Sequence, residues 1–299
     1  MLVAAICFAL FCAYTMSTDN AREDAPVVDN TDPTHTEAYR ALPHRELNKD
    51  ATETMLLIHG AFDSASSWDL VAPHLSRYHL LMPDLPRHGI ARNLHPFGID
   101  TSSRLLKELI ARKAHNGVAI VVGFSLGANI AADLISSYPE VIGDAAFISG
   151  YSAPPMARPP RLLPYAAWLE ARIEWLIPRP LLRWLMDGAD LPRPDLSICT
   201  LQLNKEILTP VKLRKWPTSW PTRTLIVAAG KGGLIPSQDS FEAARQLSGI
   251  GRKSNAATLA VMHPDMRHPW IYQAPALFAA AVEKWCIKGK ILDGFIALE

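Results

Sequence analysis

The chain has 299 residues, of which 49% are hydrophobic and 20% charged, with a formal net charge of +1 at neutral pH. That is enough apolar bulk for one large α/β domain or two smaller ones. The near-zero charge argues against a general nucleic-acid surface, and four cysteines exclude a disulfide scaffold.

The first element in chain order is the continuous apolar run from Leu2 to Met16, which contains Cys7 and Cys12. It is short for a membrane span and lacks the basic flank of a signal peptide, although small residues near Ala13 to Ser17 suit cleavage. Three readings stay open: a cleaved signal, an uncleaved anchor, or a start site placed too far upstream. A targeting role makes the protein secreted or membrane-associated, and any membrane association runs only through residues 2–16; otherwise it is cytoplasmic. Residues 17–36 are polar, acidic and interrupted by Pro26 and Pro33, and read as a loose leader. Residues 37–299 then form the folded domain.

Within that domain, 37–47 predicts an early strand or hairpin. Met55–Ile58 is a buried strand that runs into His59-Gly60. Residues 67–78 have helical spacing, with Trp68, Val71 and Leu75 on one face. His79–Met82 is the next strand and ends in Pro83-Asp84-Leu-Pro-Arg-His-Gly89. Residues 102–116 predict a helix that buries Leu105, Leu106, Leu109 and Ile110. Further apolar strands follow at 118–124, 145–149, 224–228 and 258–262, and 275–288 predicts a closing helix. Strand and helix alternating on this scale mean a mostly parallel sheet with helices on both faces.

Gly123-Phe-Ser-Leu-Gly127 stands between the strand at 118–124 and a helix that places Ala128, Ala131, Leu134 and Ile135 on one face. This is G-x-S-x-G in its strand–turn–helix setting, the nucleophile elbow. The sharp turn lifts a serine hydroxyl out of the sheet. Glycines at both ends remove Cβ atoms that would collide with the strand and helix. Ser125 is thereby the candidate nucleophile, next to the free N–H of Leu126.

Residues 152–220 interrupt the alternation. With Pro221, this stretch holds 12 of the 24 prolines, and it carries five of the eight tryptophans: Trp168, Trp175, Trp184, Trp216 and Trp220. Dense proline prevents long helices, and dense tryptophan implies burial against something apolar. The segment predicts an inserted cap of short helices, with its tryptophans lining a pocket above Ser125.

Taken together, His59-Gly60 after a strand, Trp68, Pro83-Asp84-Leu-Pro-Arg-His-Gly89, Gly123-x-Ser-x-Gly127 and the late His268-Pro269 resemble the α/β-hydrolase superfamily in its small, capped, single-domain form. The resemblance runs from about 37 to 285. It implies an α/β-hydrolase fold with an inserted helical cap at about 152–220. It also implies an oxyanion hole from the N–H groups of Ala61 and Leu126, with His59 shaping that loop. Asp84 and His88 fall in a turn that is usually structural, and Arg87 stands where the family often has glycine. The general base belongs in the loop after the last strand. His263 and His268 both lie there, and His268, followed by Pro269, Trp270 and Pro275, matches the family's entry into the C-terminal helix. The acid departs from the pattern, because the family position falls at about Gly233, which has no carboxylate. Asp239 is the nearest substitute, its alternative being a first-turn residue favoured by the helix dipole. Asp265 is the competitor.

The expected function is a serine hydrolase that acts through an acyl-enzyme on Ser125, with His268 as base and Asp239 as acid. Its substrate is an ester, thioester or lactone of a hydrophobic small molecule. Arginines at 158, 161, 172, 179, 183 and 193 suit an anionic group or simply solvation. Two alternatives stand: C–C cleavage, lyase or cyclisation chemistry on the same fold in specialised metabolism, or a non-catalytic binding member that lacks the acid. No cofactor, metal or nucleic acid is expected, and the sequence leaves the oligomeric state open.

Overall fold

The structure is a computed structural model that describes residues 42–151, 162–232 and 238–299. The readings of residues 1–16 and 17–36, the first part of the inserted segment, and Gly233 lie outside the described residues.

The sheet has eight strands: β1 (His44–Leu47), β2 (Thr54–Ile58), β3 (His79–Pro83), β4 (Ala119–Phe124), β5 (Ile142–Ser149), β6 (Arg223–Ala229), β7 (Leu259–His263) and β8 (Ile296–Ala297). Their spatial order is β1-β3-β2-β4-β5-β6-β7-β8. The outermost strands β1 and β8 pair antiparallel with β3 and β7, and all other pairings are parallel. Strands β2, β3 and β4 are buried at every residue, as a parallel sheet covered on both faces requires.

Helices α1 (Ile99–Lys113), α2 (Leu126–Ser137) and α6 (Phe241–Arg252) cover one face. Leu105, Leu106, Leu109 and Ile110 of α1 and Ala128, Ala131, Leu134 and Ile135 of α2 are all buried there. The short α7 (Trp270–Gln273) and the longer α8 (Pro275–Lys288) lie on the other face, where Phe278, Val282 and Trp285 pack with Trp68, Val71 and Leu75. Pro275 opens α8 at a position where its missing N–H costs nothing, and Gly289 closes it in the left-handed region with φ 60°.

The helix predicted over 67–78 is not formed. Two single 3₁₀ turns, Ala65–Trp68 and Ala72–Leu75, take its place. Pro73 has no N–H to continue an α-helical ladder, so the chain makes separate turns that still bury Trp68, Val71 and Leu75. The spacing was that of burial, not of one continuous helix.

Between β5 and β6 lie α3 (Leu163–Leu176), α4 (Arg179–Leu185) and α5 (Leu201–Leu213). Leu203, Ile207 and Val211 of α5 join the core on the α1/α2 face. The tryptophans of this segment do not share one lining. Trp220 is fully buried, and its indole N–H donates to Thr224 Oγ1 at 2.8 Å. Trp216 stacks near Tyr151, and Trp168 lies beneath the Arg172 guanidinium. Trp175 and Trp184 are 41% and 70% exposed. The pull of apolar bulk toward the core thus acts on Trp220, whereas short proline-broken helices cannot bury both of their sides.

In the parallel register, Ile58 lies beside Gly123, Phe124 beside Ser149, Ser149 beside Val227 and Ala229 beside His263. The carboxyl ends of five strands therefore finish along one edge, and the loops that leave them converge. Open parallel sheets place their sites at this edge.

Candidate active site

Ser125 joins β4 to α2 with φ 56° and ψ −113°, a backbone conformation that side-chain-bearing residues seldom adopt. Its N–H donates to Ser149 O at 2.9 Å, which anchors the turn to the neighbouring strand. The flanking glycines are sterically required. A Cβ on Gly123 would lie 2.4 Å from Gly127 O, and one on Gly127 would lie 2.2 Å from Ile58 O. The close packing of strand, helix and neighbouring strand produces the strained turn and points its side chain away from the sheet.

The loop after β2 passes directly over this turn. A Cβ on Gly60 would stand 3.4 Å from Ser125 Cβ. Ala61 follows, and among the described residues neither its N–H nor that of Leu126 makes a backbone hydrogen bond. His59 is fully buried; its Nδ1–H donates to Gly60 O at 2.7 Å, and its Nε2 accepts the Leu85 N–H at 3.1 Å. Burial holds its pKa below the ordinary histidine value. His59 therefore fastens two loops together as a neutral ring.

His268 Nε2 lies 2.9 Å from Ser125 Oγ, and Nδ1 lies 2.5 Å from Asp239 Oδ1. The other Asp239 oxygen accepts the Ala229 N–H at 2.7 Å, and the Asp239 N–H donates to Ala229 O at 2.9 Å. Asp239 thus precedes α6 and is held by the end of β6; the N-cap of that helix is Ser240, whose side chain accepts from the Ala243 N–H. With Oδ2 occupied by Ala229, Oδ1 is the oxygen available to the imidazole. Burial pushes the His268 pKa down, but the charge and hydrogen bond of Asp239 outweigh it, and the pKa ends above the ordinary histidine value.

The other candidates lie elsewhere. His263 packs edge-on against Phe295 at 4.9 Å, and burial lowers its pKa. Asp265 is exposed, and its N–H donates to His263 Nδ1 at 3.3 Å. The Asp84 carboxylate accepts the N–H groups of Ala65 at 2.7 Å and Ile90 at 2.8 Å, tying the loops after β2 and β3. His88 is buried, with its pKa pushed down to about 3, first by burial and then by the neighbouring His59. Arg87 adopts φ 71°, the left-handed geometry that explains why glycine suits this position, and its guanidinium holds Glu206 of α5 at 2.9 Å. None of these side chains reaches Ser125 by a hydrogen bond.

Three contributors carry no local signal in the sequence. Gly150 has φ 74°, and a Cβ there would stand 2.8 Å from His268 Cε1 and 3.4 Å from Ser125 N. Asn129 donates to Ser125 O at 3.0 Å and is itself held by Arg214, which also donates to Tyr151 Oη at 2.6 Å. Tyr272 donates to Asp63 Oδ2 at 2.6 Å, linking the loop after β2 to the helix beyond His268.

The hydroxyl, imidazole and carboxylate are thus hydrogen-bonded in series. Among the described residues, no group of three or more His, Cys, Asp or Glu side chains could hold a metal ion.

Comparison with known proteins agrees with this architecture. The sequence profile of the alpha/beta hydrolase family matches residues 55–281. An "AB hydrolase superfamily protein" of Gibberella zeae is 32% identical over 287 residues, covering 95% of each chain. Among solved structures, an α/β-hydrolase enzyme from a deep-sea metagenome superposes with a TM-score of 0.59 at 19% identity, over 81% of this chain and 91% of that one. A marine microorganism esterase gives a TM-score of 0.58 at 13% identity, over 82% and 98%. The epoxide hydrolase CorEH gives 0.57 at 14%, over 82% and 99%. At these identities the structural likenesses carry the fold alone, whereas the profile and the Gibberella relative span most of the chain. By its sequence and by its eight-stranded sheet, the chain belongs to the α/β-hydrolase family.

Proposed function

We propose that the protein is a serine hydrolase that cleaves an ester, thioester or lactone of a hydrophobic small molecule through an acyl-enzyme on Ser125. The observation that carries this reading is the series Ser125 Oγ, His268, Asp239, with contacts of 2.9 and 2.5 Å. In the first half-reaction, His268 Nε2 takes the Ser125 proton as Oγ attacks the acyl carbon. Asp239 holds the ring in the tautomer with its proton on Nδ1 and stabilises the imidazolium that forms, without itself taking the proton. The N–H groups of Ala61 and Leu126 receive the developing oxyanion, each contributing about 10²–10³ in rate. The imidazolium then protonates the leaving alcohol, thiol or ring oxygen. In the second half-reaction, His268 activates water, which releases the acid and restores Ser125.

The helices between β5 and β6 would cap this edge of the sheet. Two ties from this segment support that role: Glu206 of α5 to Arg87 in the loop after β3, and Arg214, just past α5, to Asn129 of α2. The reading as a binding member rested on an unfilled acid position, and the contact between Asp239 and His268 speaks against it. Turnover by C–C cleavage or cyclisation has no observation of its own in its favour.

The test is labelling with a fluorophosphonate probe, followed by turnover of p-nitrophenyl esters of graded chain length. Labelling of the wild type at Ser125, lost in Ser125→Ala, together with ester turnover, is the expected result. A wild type that neither reacts with the probe nor turns over any ester would end this reading.

A further inference from the structure

The inserted segment reaches the loop of His268 through one carboxylate. Helix α4 ends at Leu185, and two residues later Asp187 takes φ 55°, followed by Gly188 at φ 86°. The turn closes back on its own helix. The Gly188 N–H donates to Arg183 O at 2.7 Å, and Arg183 Nε returns to Gly188 O at 3.2 Å. So held, Asp187 Oδ2 accepts Arg267 Nε at 2.6 Å and Lys231 Nζ at 2.9 Å.

Those two cations belong to the two loops that carry the candidate base and acid. Arg267 immediately precedes His268, and Lys231 follows β6 on the way to Asp239. The loops are already joined by their backbones: the Gly230 N–H donates to His263 O at 2.8 Å and the Lys231 N–H to Met266 O at 2.9 Å. The Arg267 N–H is held by Gln273 Oε1 at 2.9 Å. Asp187 adds a brace from outside this pair. The side chain of Arg267 is only 9% exposed, so this ion pair is screened less than an ordinary surface one. Hydrogen bonds from Lys231 and then Arg267 hold the Asp187 carboxyl below its ordinary pKa, and it stays charged through the neutral range.

We propose that Asp187 is a positioning residue for His268. Its carboxylate clamps Arg267 and Lys231 and fixes the loop from which the imidazole projects. Without that clamp the loop loosens and the ring loses its alignment on Ser125. The turn after α4 and the competence of the base are thus coupled. The catalytic consequence rests on the reading of His268 as general base; the coupling between the two loops does not.

The test uses the full chain with Asp187→Asn, because asparagine tolerates the left-handed backbone and removes only the charge. Three quantities are read: kcat and KM on the best p-nitrophenyl ester, amide hydrogen exchange over residues 264–274, and the melting temperature. A misplacement of about 1 Å can cost about 10²-fold, so partial loosening is expected to lower kcat about tenfold with KM changed less than about twofold. Exchange over 264–274 should rise well above any change in global stability. Unchanged kcat, or faster exchange confined to residues 178–190 around the substituted turn, would overturn the proposal. If Asp187→Asn does not fold, Lys231→Met reads the same clamp from the other side, and its exchange over 264–274 must rise. If the wild type turns over no ester, the functional reading falls and the exchange data alone decide the coupling.

Discussion

Asparagine at position 239 is a sharper perturbation than its size suggests. The two carboxylate oxygens face two donors: His268 Nδ1–H at 2.5 Å and the Ala229 N–H at 2.7 Å. The side chain is 1% exposed, so water cannot replace either contact. An amide has one acceptor oxygen for these two donors. If that oxygen stays on His268, the NH₂ group is driven against the Ala229 N–H inside the fold. If it turns to Ala229, the NH₂ group donates to His268 Nδ1, and the ring proton moves to Nε2. The backbone N–H is fixed and the imidazole can change tautomer, so the second arrangement wins. An Nε2 that carries a proton cannot accept one from Ser125. Wrong-tautomer trapping of this kind lowers kcat by about 10⁴, or about 5.4 kcal/mol of barrier. Asp239→Ala, which leaves Nδ1 free to keep its proton, should be no worse than Asp239→Asn. The substitution also removes what raises the His268 pKa. In the wild type the base must be neutral to act, so kcat/KM rises with pH through a pKa above the ordinary histidine value. In Asp239→Asn that rising limb should move to lower pH. The assay is a pH series of initial rates on a p-nitrophenyl ester. An Asp239→Asn enzyme with more than about a tenth of wild-type kcat, or with an unmoved acidic limb, would refute the relay.

Three further outcomes are expected. Gly150→Ala sets a Cβ 2.8 Å from His268 Cε1 at φ 74°, so kcat should fall about 10²-fold, with about 1–2 kcal/mol lost in urea unfolding; a variant with wild-type kcat would show that the ring has room to move. His263→Ala should keep kcat within about twofold while losing about 0.5–1.5 kcal/mol from its edge-on contact with Phe295; an inactive His263→Ala beside an active His268→Ala would reassign the base. Trp220→Ala empties a fully buried site and leaves Thr224 without its indole donor, which should cost about 3–5 kcal/mol by denaturant titration; a loss under about 1 kcal/mol would mean the neighbouring helix collapses into the space.

Local and tertiary information divide along physical lines in this chain. The buried parallel strands were legible because β2, β3 and β4 are apolar apart from Thr54 and His79, so they can be covered on both faces, and that pattern repeats over a few residues. The elbow was legible for a related reason. Gly123, Ser125 and Gly127 meet their steric demands within one strand, one turn and one helix. The pattern over 67–78 misled because burial of Trp68, Val71 and Leu75 has the same spacing whether one helix or two 3₁₀ turns present them, and only the missing N–H of Pro73 distinguishes the two. What the sequence could not show depends on loops closing across distance. Asp239 approaches His268 over 29 residues because Ala229, at the end of β6, holds its other oxygen. Asp187 and Arg267 meet over 80 residues, and the need for glycine at 150 exists only once the His268 ring stands above it. The sequence favoured His268 over His263 only through the Pro269, Trp270 and Pro275 that follow it, because both histidines lie in one loop. The fold divides them by packing one ring on Phe295 and leaving the other facing Ser125. Periodicity and local sterics are written in neighbouring residues, but hydrogen-bond partners at the carboxyl edge of a parallel sheet are set by strand order, which no short stretch contains.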